Sequence, residues 1–227
     1  MAKKQKIGLK RRIFIYFLLF SSITFFVRVY KVSDISMNYA LFDGDLVVVE
    51  NFSIGIHFPS LFFYIDKHIW SNEEAIKRGD ILAFRHPLDR RLYIKRCVAL
   101  PKDVIFQHNK NLYLQIEGNS TKTLNYAQKF RLESVDINGS IWIKNPYQKC
   151  YPISHEPSIQ APKMLLEYPK EQIPPHHYFF MGDFRDDSTD SRFFGAVHYD
   201  YIYYRAVLLI QPFRDLERSI RANQSIF

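Results

Sequence analysis

Cysteine is scarce: Cys97 and Cys150 are the only two in 227 residues. Two cysteines cannot form a disulfide framework, which leaves either a single bridge or two unpaired thiols. Acidic residues are missing from the first twelve positions, which hold Lys3, Lys4, Lys6, Lys10, Arg11 and Arg12. Of the formal net charge of +8, this tag accounts for six, leaving +2 for the rest of the chain. The basic excess is therefore local, which argues against a nucleic-acid-binding face. No cluster of His, Cys, Asp and Glu has metal-ligand spacing. A calcium loop starting at Asp183 fails because its sixth and twelfth positions are Ser188 and Phe194 rather than Gly and Glu. There is no internal repeat, no low-complexity tract and, beyond the first thirty residues, no strongly amphipathic helix.

Hydrophobic residues make up 47% of the chain and charged residues 24%, enough apolar material for a packed core. The run from Ile13 to Val27 contains no charge. Its fifteen residues would cover about 23 Å as a helix, short of the roughly 30 Å of a bilayer core. Continuing through Arg28, Val29 and Tyr30, with cationic stems snorkelling at both ends, predicts one N-terminal transmembrane helix. No A-x-A-like site follows, so the segment is expected to stay as an anchor, with residues 1–12 cytoplasmic and the chain beyond Tyr30 across the membrane.

Short β-like runs follow: 45–50, 80–84, 92–100, 103–107, 111–116, 177–181 and 201–210. His108-Asn109-Lys110-Asn111 reads as a tight turn between two of them. The expected fold is mostly β: an antiparallel catalytic domain over residues 33–215, preceded by a tail and anchor at 1–32 and followed by a tail at 216–227. The polar stretch 117–172 carries few strand signals and reads as an inserted subdomain. The apolar, aromatic segment 54–70 fits either a strand packed on the core or a surface dipping into a bilayer interface, and Phe62 and Phe63 would lead in the second case.

Four blocks carry the chemistry. Ser36 stands in SDISMNYALFDGDLVVV, just after the apolar run. RGDILAF at 78–84 reads as a turn entering a strand. In LYIKRCVALPKD at 92–103, alternation puts Tyr93, Lys95, Cys97 and Ala99 on one face of a strand, so Lys95 sits among small or apolar neighbours. Burial disfavours an ammonium, and a neutral amine can accept a hydroxyl proton. MGDFRDDSTDSRFFG at 181–195 reads as a hydrogen-bonded loop in which Asp190 and Arg192 pair and Ser188 can meet a buried amine.

In this order the blocks resemble type I signal peptidases, also called leader peptidases, from the apolar run to about Phe213. The resemblance implies a serine/lysine-dyad endopeptidase without a catalytic histidine. It would remove signal peptides from exported preproteins on the outer face of a bacterial inner membrane, cutting after small residues. Ser36 matches the nucleophile and Lys95 the general base. Ser188 matches the serine that orients the lysine, and Asp190 and Arg192 the pair that braces the site. No cofactor is implied; the partners are preprotein signal peptides and the lipid bilayer, with no nucleic acid, and the chain would act as a monomer. The sequence departs from the family pattern at Asp34, where many bacterial members have a serine or glycine. A carboxylate there accepts hydrogen bonds and opposes an oxyanion, unless it turns away or is protonated; Ser33 and Asn38 are alternative donors. A catalytically inactive anchored binding protein is the other reading. A self-cleaving repressor-type protease would need a DNA-binding module where the apolar run stands.

Overall fold

The computed structural model describes residues 8–38, 40–57, 68–147 and 163–211. Helix α1 (Leu9–Phe26) runs directly into strand β1 (Val27–Lys31). β1 pairs antiparallel with β2 (Leu46–Glu50), Arg28 opposite Val49 and Tyr30 opposite Val47. This corrects the expected extent of the helix, which ends at Phe26 and does not continue through Tyr30. The residues needed to lengthen the helix serve a sheet, because Val27, Val29 and Tyr30 are β-formers facing a valine-rich strand. Tyr30 also packs on Tyr204, their ring centroids 5.9 Å apart. Between Arg12 and β1 the apolar part of α1 is left with about 21 Å. Among the described residues no helix is long and apolar enough to cross a membrane.

The chain continues through a two-stranded hairpin, β3 (Gly55–His57) and β4 (His68–Ser71), then β5 (Ile81–Arg85) and β6 (Leu92–Ala99). Next come β7 (Val104–His108), β8 (Asn111–Gln115), helix α2 (Ser120–Phe130), β9 (Ser134–Ile137) and β10 (Ser140–Lys144). The last part holds α3 (Lys163–Leu166), β11 (Tyr168–Gln172), β12 (His177–Met181), α4 (Ser191–Phe194), β13 (Val197–His198) and β14 (Ile202–Ile210). Two larger sheets result, in the orders β1-β2-β14-β5-β6-β12-β13 and β11-β7-β8-β10-β9. Their pairings are antiparallel throughout, as the mostly β reading expected.

The second sheet draws β7 and β8 together with the polar stretch 117–172. That stretch contains more regular structure than its composition suggested. Both strands are short, β9 alternates polar and apolar residues while β10 buries Trp142 and Ile143, and they join at Asn138-Gly139. Both turn residues have positive φ, 52° and 79°, as a two-residue hairpin turn needs. Asn109 and Lys110, at φ 47° and 65°, make the corresponding turn between β7 and β8 that the sequence indicated.

The core falls into three clusters. Val32, Met37, Leu41, Val47, Val49 and Ile81 form one beneath the Ser36 turn. Leu82, Phe84, Cys97, Phe180 and Ile202 form a second. Val98, Ile105, Leu114, Phe179 and Met181 form a third that joins the two sheets. Cys97 is a free, buried thiol whose pKa is pushed well up by desolvation, which makes it chemically inert. RGDILAF is indeed a turn entering β5, held by ion pairs. Arg78 makes two 2.7 Å bonds to Asp103, which also accepts the N–H groups of Leu100 and Glu117. In segment 54–70, Ile54 is buried and Trp70 exposed. Phe62 and Phe63 lie outside the described residues, as do Lys3, Lys4, Lys6, Cys150 and the tail 216–227.

Candidate active site

Ser36 sits on a tight turn after β1. Backbone bonds from Asn38 N to Ile35 O (2.8 Å) and from Leu41 N to Met37 O (2.8 Å) close the turn. Met37 and Leu41 are buried in the core below, so the serine is carried on an anchored loop. Its own carbonyl accepts the Phe184 N–H at 3.1 Å, which ties the turn to the loop after β12.

Lys95 lies in the middle of β6, opposite Leu82 of β5 and 2% exposed. Its Nζ hydrogen-bonds Ser36 Oγ directly. Two side chains separated by 58 residues of sequence are thus brought into contact by the β1–β2–β14–β5–β6 order of the sheet. The lysine pKa is lowered from its ordinary value. Burial is the main cause, and the charges of Asp34, Asp190 and Asp183 push partly back. The strand position expected from the sequence holds, but the surroundings are less apolar than alternation implied, because the charges of three carboxylates from two loops act on the amine.

The loop after β12 is organised by Asp190, fully buried, which accepts from Arg192 Nε and Nη2 at 2.8 Å each and from the Gly182 N–H at 3.0 Å. Burial alone would raise the Asp190 pKa, but the Arg192 charge and these hydrogen bonds outweigh it and hold the carboxyl below its ordinary value. Asp190 also caps α4 through the Arg192 N–H. Ser188 is buried beside the dyad and lines the same cavity. Its Oγ makes no well-formed hydrogen bond, although it lies near enough to Asp190 to favour that carboxylate. The expected Ser188–Lys95 contact is therefore not made in this state.

Two features escaped the sequence reading. Arg96, next to the lysine, makes a two-point pair with Asp183 at 2.7 and 2.6 Å and bonds Gly79 O at 2.8 Å, joining β6 to both loops. Gly182 leaves no room for a side chain: a Cβ there would collide with Ser188 Oγ and with the Ser36 carbonyl. Gly182 and Asp183 stand together in the last block, but Arg96 on β6 and the Ser36 carbonyl come from other parts of the chain.

Asp34 neither turns away nor favours protonation. Its Oδ1 accepts the Ile35 N–H at 2.7 Å and its Oδ2 lies 3.8 Å from Lys95 Nζ. Partial burial would raise its pKa, but hydrogen bonding with Ser36 and the Lys95 charge lower it below the ordinary value. Ser33 is exposed and Asn38 half-buried. The dyad opens on a cavity of about 470 Å³ whose apolar wall includes Tyr30, Val32, Met37, Val47, Ala83 and Ile94. Among the described residues no three His, Cys, Asp or Glu side chains converge as metal ligands would.

A family model described as signal peptidase, peptidase S26, matches residues 7–210. The chain is similar to the signal peptidase I of Pseudomonas fluorescens, with 33% identity over 174 residues, covering 75% of this chain and 56% of that one. It therefore spans little more than half the length of that relative. It is also similar to the signal peptidase I of Buchnera aphidicola subsp. Schizaphis graminum, 28% identical over 89% of this chain and 73% of that one. The signal peptidase I of Helicobacter pylori strain 26695 is 27% identical over 79% and 73%. A crystal structure of a signal peptidase I from Enterococcus faecalis V583 aligns at 26% identity over 59% of this chain and 96% of that one, with a TM-score of 0.31.

Proposed function

The chain belongs to the signal peptidase family, peptidase S26, and from that premise we propose that it is an endopeptidase that removes signal peptides from preproteins with a Ser36/Lys95 dyad. The observation that carries this reading is the hydrogen bond between a buried lysine amine and a serine hydroxyl at the edge of an apolar cavity.

In the proposed reaction, neutral Lys95 takes the Ser36 proton while Oγ attacks the scissile carbonyl. The Ser36 N–H donates to the developing oxyanion. Protonated Lys95 then gives its proton to the leaving amine, and the N–C bond breaks. An acyl-enzyme remains on Ser36. Lys95, neutral again, draws a proton from water, whose oxygen attacks the ester; the C–Oγ bond breaks, Lys95 returns the proton to Ser36 Oγ, and the signal peptide leaves as a carboxylic acid. Ser188 supports the amine once substrate has closed the site, and the Asp190–Arg192 pair braces the loop behind it. Incubation with a preprotein is expected to yield a shortened product with the parent and none with Ser36→Ala. Asp34 keeps a second reading open, an inactive binding protein; a parent that holds the preprotein without shortening it would favour that one.

The reading includes work at the extracytoplasmic face of a bacterial inner membrane, with attachment through α1 in place of a spanning helix. α1 exposes Ile13, Phe14 and Phe17 just after Lys10, Arg11 and Arg12, an apolar surface beside cations that suits an anionic lipid interface. Charging Phe14 and Phe17 to Asp is expected to lower co-sedimentation with anionic vesicles at least about tenfold, while cleavage of a short soluble peptide is kept. Unchanged sedimentation would remove α1 from that role.

A further inference from the structure

Asp34 stands at the mouth of the catalytic cavity, two residues before Ser36, and its side chain is 64% exposed. The charged groups around the Lys95 amine come from several elements. From the loop after β12 come Asp183 and Asp190. From its own strand comes the Tyr93 ring, 5.5 Å from Nζ. Asp187, Arg91 and Lys31 line the same cavity further out. Asp183 and Asp190 are each occupied by a two-point arginine pair, with Arg96 and Arg192. Arg185, buried in the same loop, adds positive charge beside them. Asp34 differs: among the described residues it has no arginine partner, and the cation 3.8 Å from its Oδ2 is the catalytic amine itself.

Resting on the dyad reading above, we propose that Asp34 is a positioning residue that holds Lys95 as its ammonium in the free enzyme, so that the resting site is biased towards the inactive protonation state. Hydrogen bonding with Ser36 and the Lys95 charge hold Asp34 below its ordinary pKa, so the carboxylate is ionised beside the amine. Its effect on the chemical step is largely self-cancelling. Moving the proton from Ser36 to Lys95 creates a cation, which Asp34 favours, and an oxyanion, which it opposes. The uncancelled part is the protonation of the free enzyme, which the pH dependence of kcat/KM reports.

The test compares the parent with Asp34→Asn, which keeps an acceptor for the Ile35 N–H and loses the charge. For cleavage of a signal-peptide substrate, the acid limb of kcat/KM is expected to move by about 0.5–1 pH unit to lower pH, the small size reflecting solvent screening. Cleavage on that limb would be about 3- to 10-fold faster, and the two profiles would converge on the alkaline plateau. Asp34→Glu, which keeps the charge, would retain a limb near the parent's. A folded, active Asp34→Asn with an unmoved limb overturns the proposal. An independent readout is the rate at which the Lys95 amine is acylated by a small amine-reactive ester as pH is raised, read by peptide mass spectrometry on the full chain. The amine is expected to titrate higher in the parent than in Asp34→Asn, and equal titration overturns the proposal even if the variant is inactive. A parent that cleaves nothing would instead defeat the peptidase reading, while the amine titration would still decide whether Asp34 acts on Lys95.

Discussion

Lys95→Arg is expected to lower signal-peptide cleavage by at least about a thousandfold, although it preserves a long cationic side chain. The lysine serves by losing its proton. Burial lowers its pKa from the ordinary value of 10.5, against the charges of Asp34, Asp190 and Asp183. A guanidinium stays protonated across the accessible range and cannot accept the Ser36 proton. Its planar head would also need room that a site 2% exposed does not offer. For the parent, kcat/KM should rise with pH as the amine deprotonates, with its midpoint below the ordinary lysine value. A folded Lys95→Arg that keeps a tenth or more of the parent's turnover, or a parent profile that falls as pH rises through that limb, would remove Lys95 from the role of base.

Arg192→Met is expected to destabilise the domain by about 3–5 kcal/mol at neutral pH, because it leaves Asp190 buried and charged without its partner. The pair is sealed on both sides, with side-chain exposures of 1% and 0%. In the parent the Asp190 pKa is depressed. Its contribution to stability is therefore present above the unfolded carboxyl value near 3.8 and is lost as pH falls below it. In the variant the sign reverses: desolvation is left to raise the folded pKa, so stability falls as pH rises from 3.8 through that raised value. Urea unfolding at pH 4 and pH 7 checks this. The gap between parent and variant should be clearly narrower at pH 4, where the variant's Asp190 is protonated, and full at pH 7. A gap independent of pH would mean that packing of the Arg192 stem, not the charge pair, is what matters.

The local parts of this protein could be read along the chain. Lys95 could be placed on a strand because its flanks alternate and are rich in β-formers, and β6 runs through it. Asp190 and Arg192 are two residues apart, so their pairing needs no knowledge of distant chain. Asn109-Lys110 marked its turn for the same reason. The end of α1 was misjudged because Arg28, Val29 and Tyr30 suit either a helix end at a membrane or a strand, and what settles the choice is β2, which pairs with them. The second sheet was hard to read because β9 and β10 are only four and five residues long and lie in a stretch that is polar overall. Arg96–Asp183 and the close approach of the Ser36 carbonyl to Gly182 could not be read because each joins segments distant in sequence.

Sequence by itself determined the residue types available for chemistry, their order along the chain and the antiparallel β character, because propensity, alternation and turn chemistry act over a few neighbouring residues. Tertiary structure alone decided that Ser36 and Lys95 touch, that the charges of three carboxylates act on one amine and that Asp34 points at the dyad instead of away. Desolvation and Coulomb interaction depend on distance and burial in space, and neither quantity exists until the sheet has closed around the lysine.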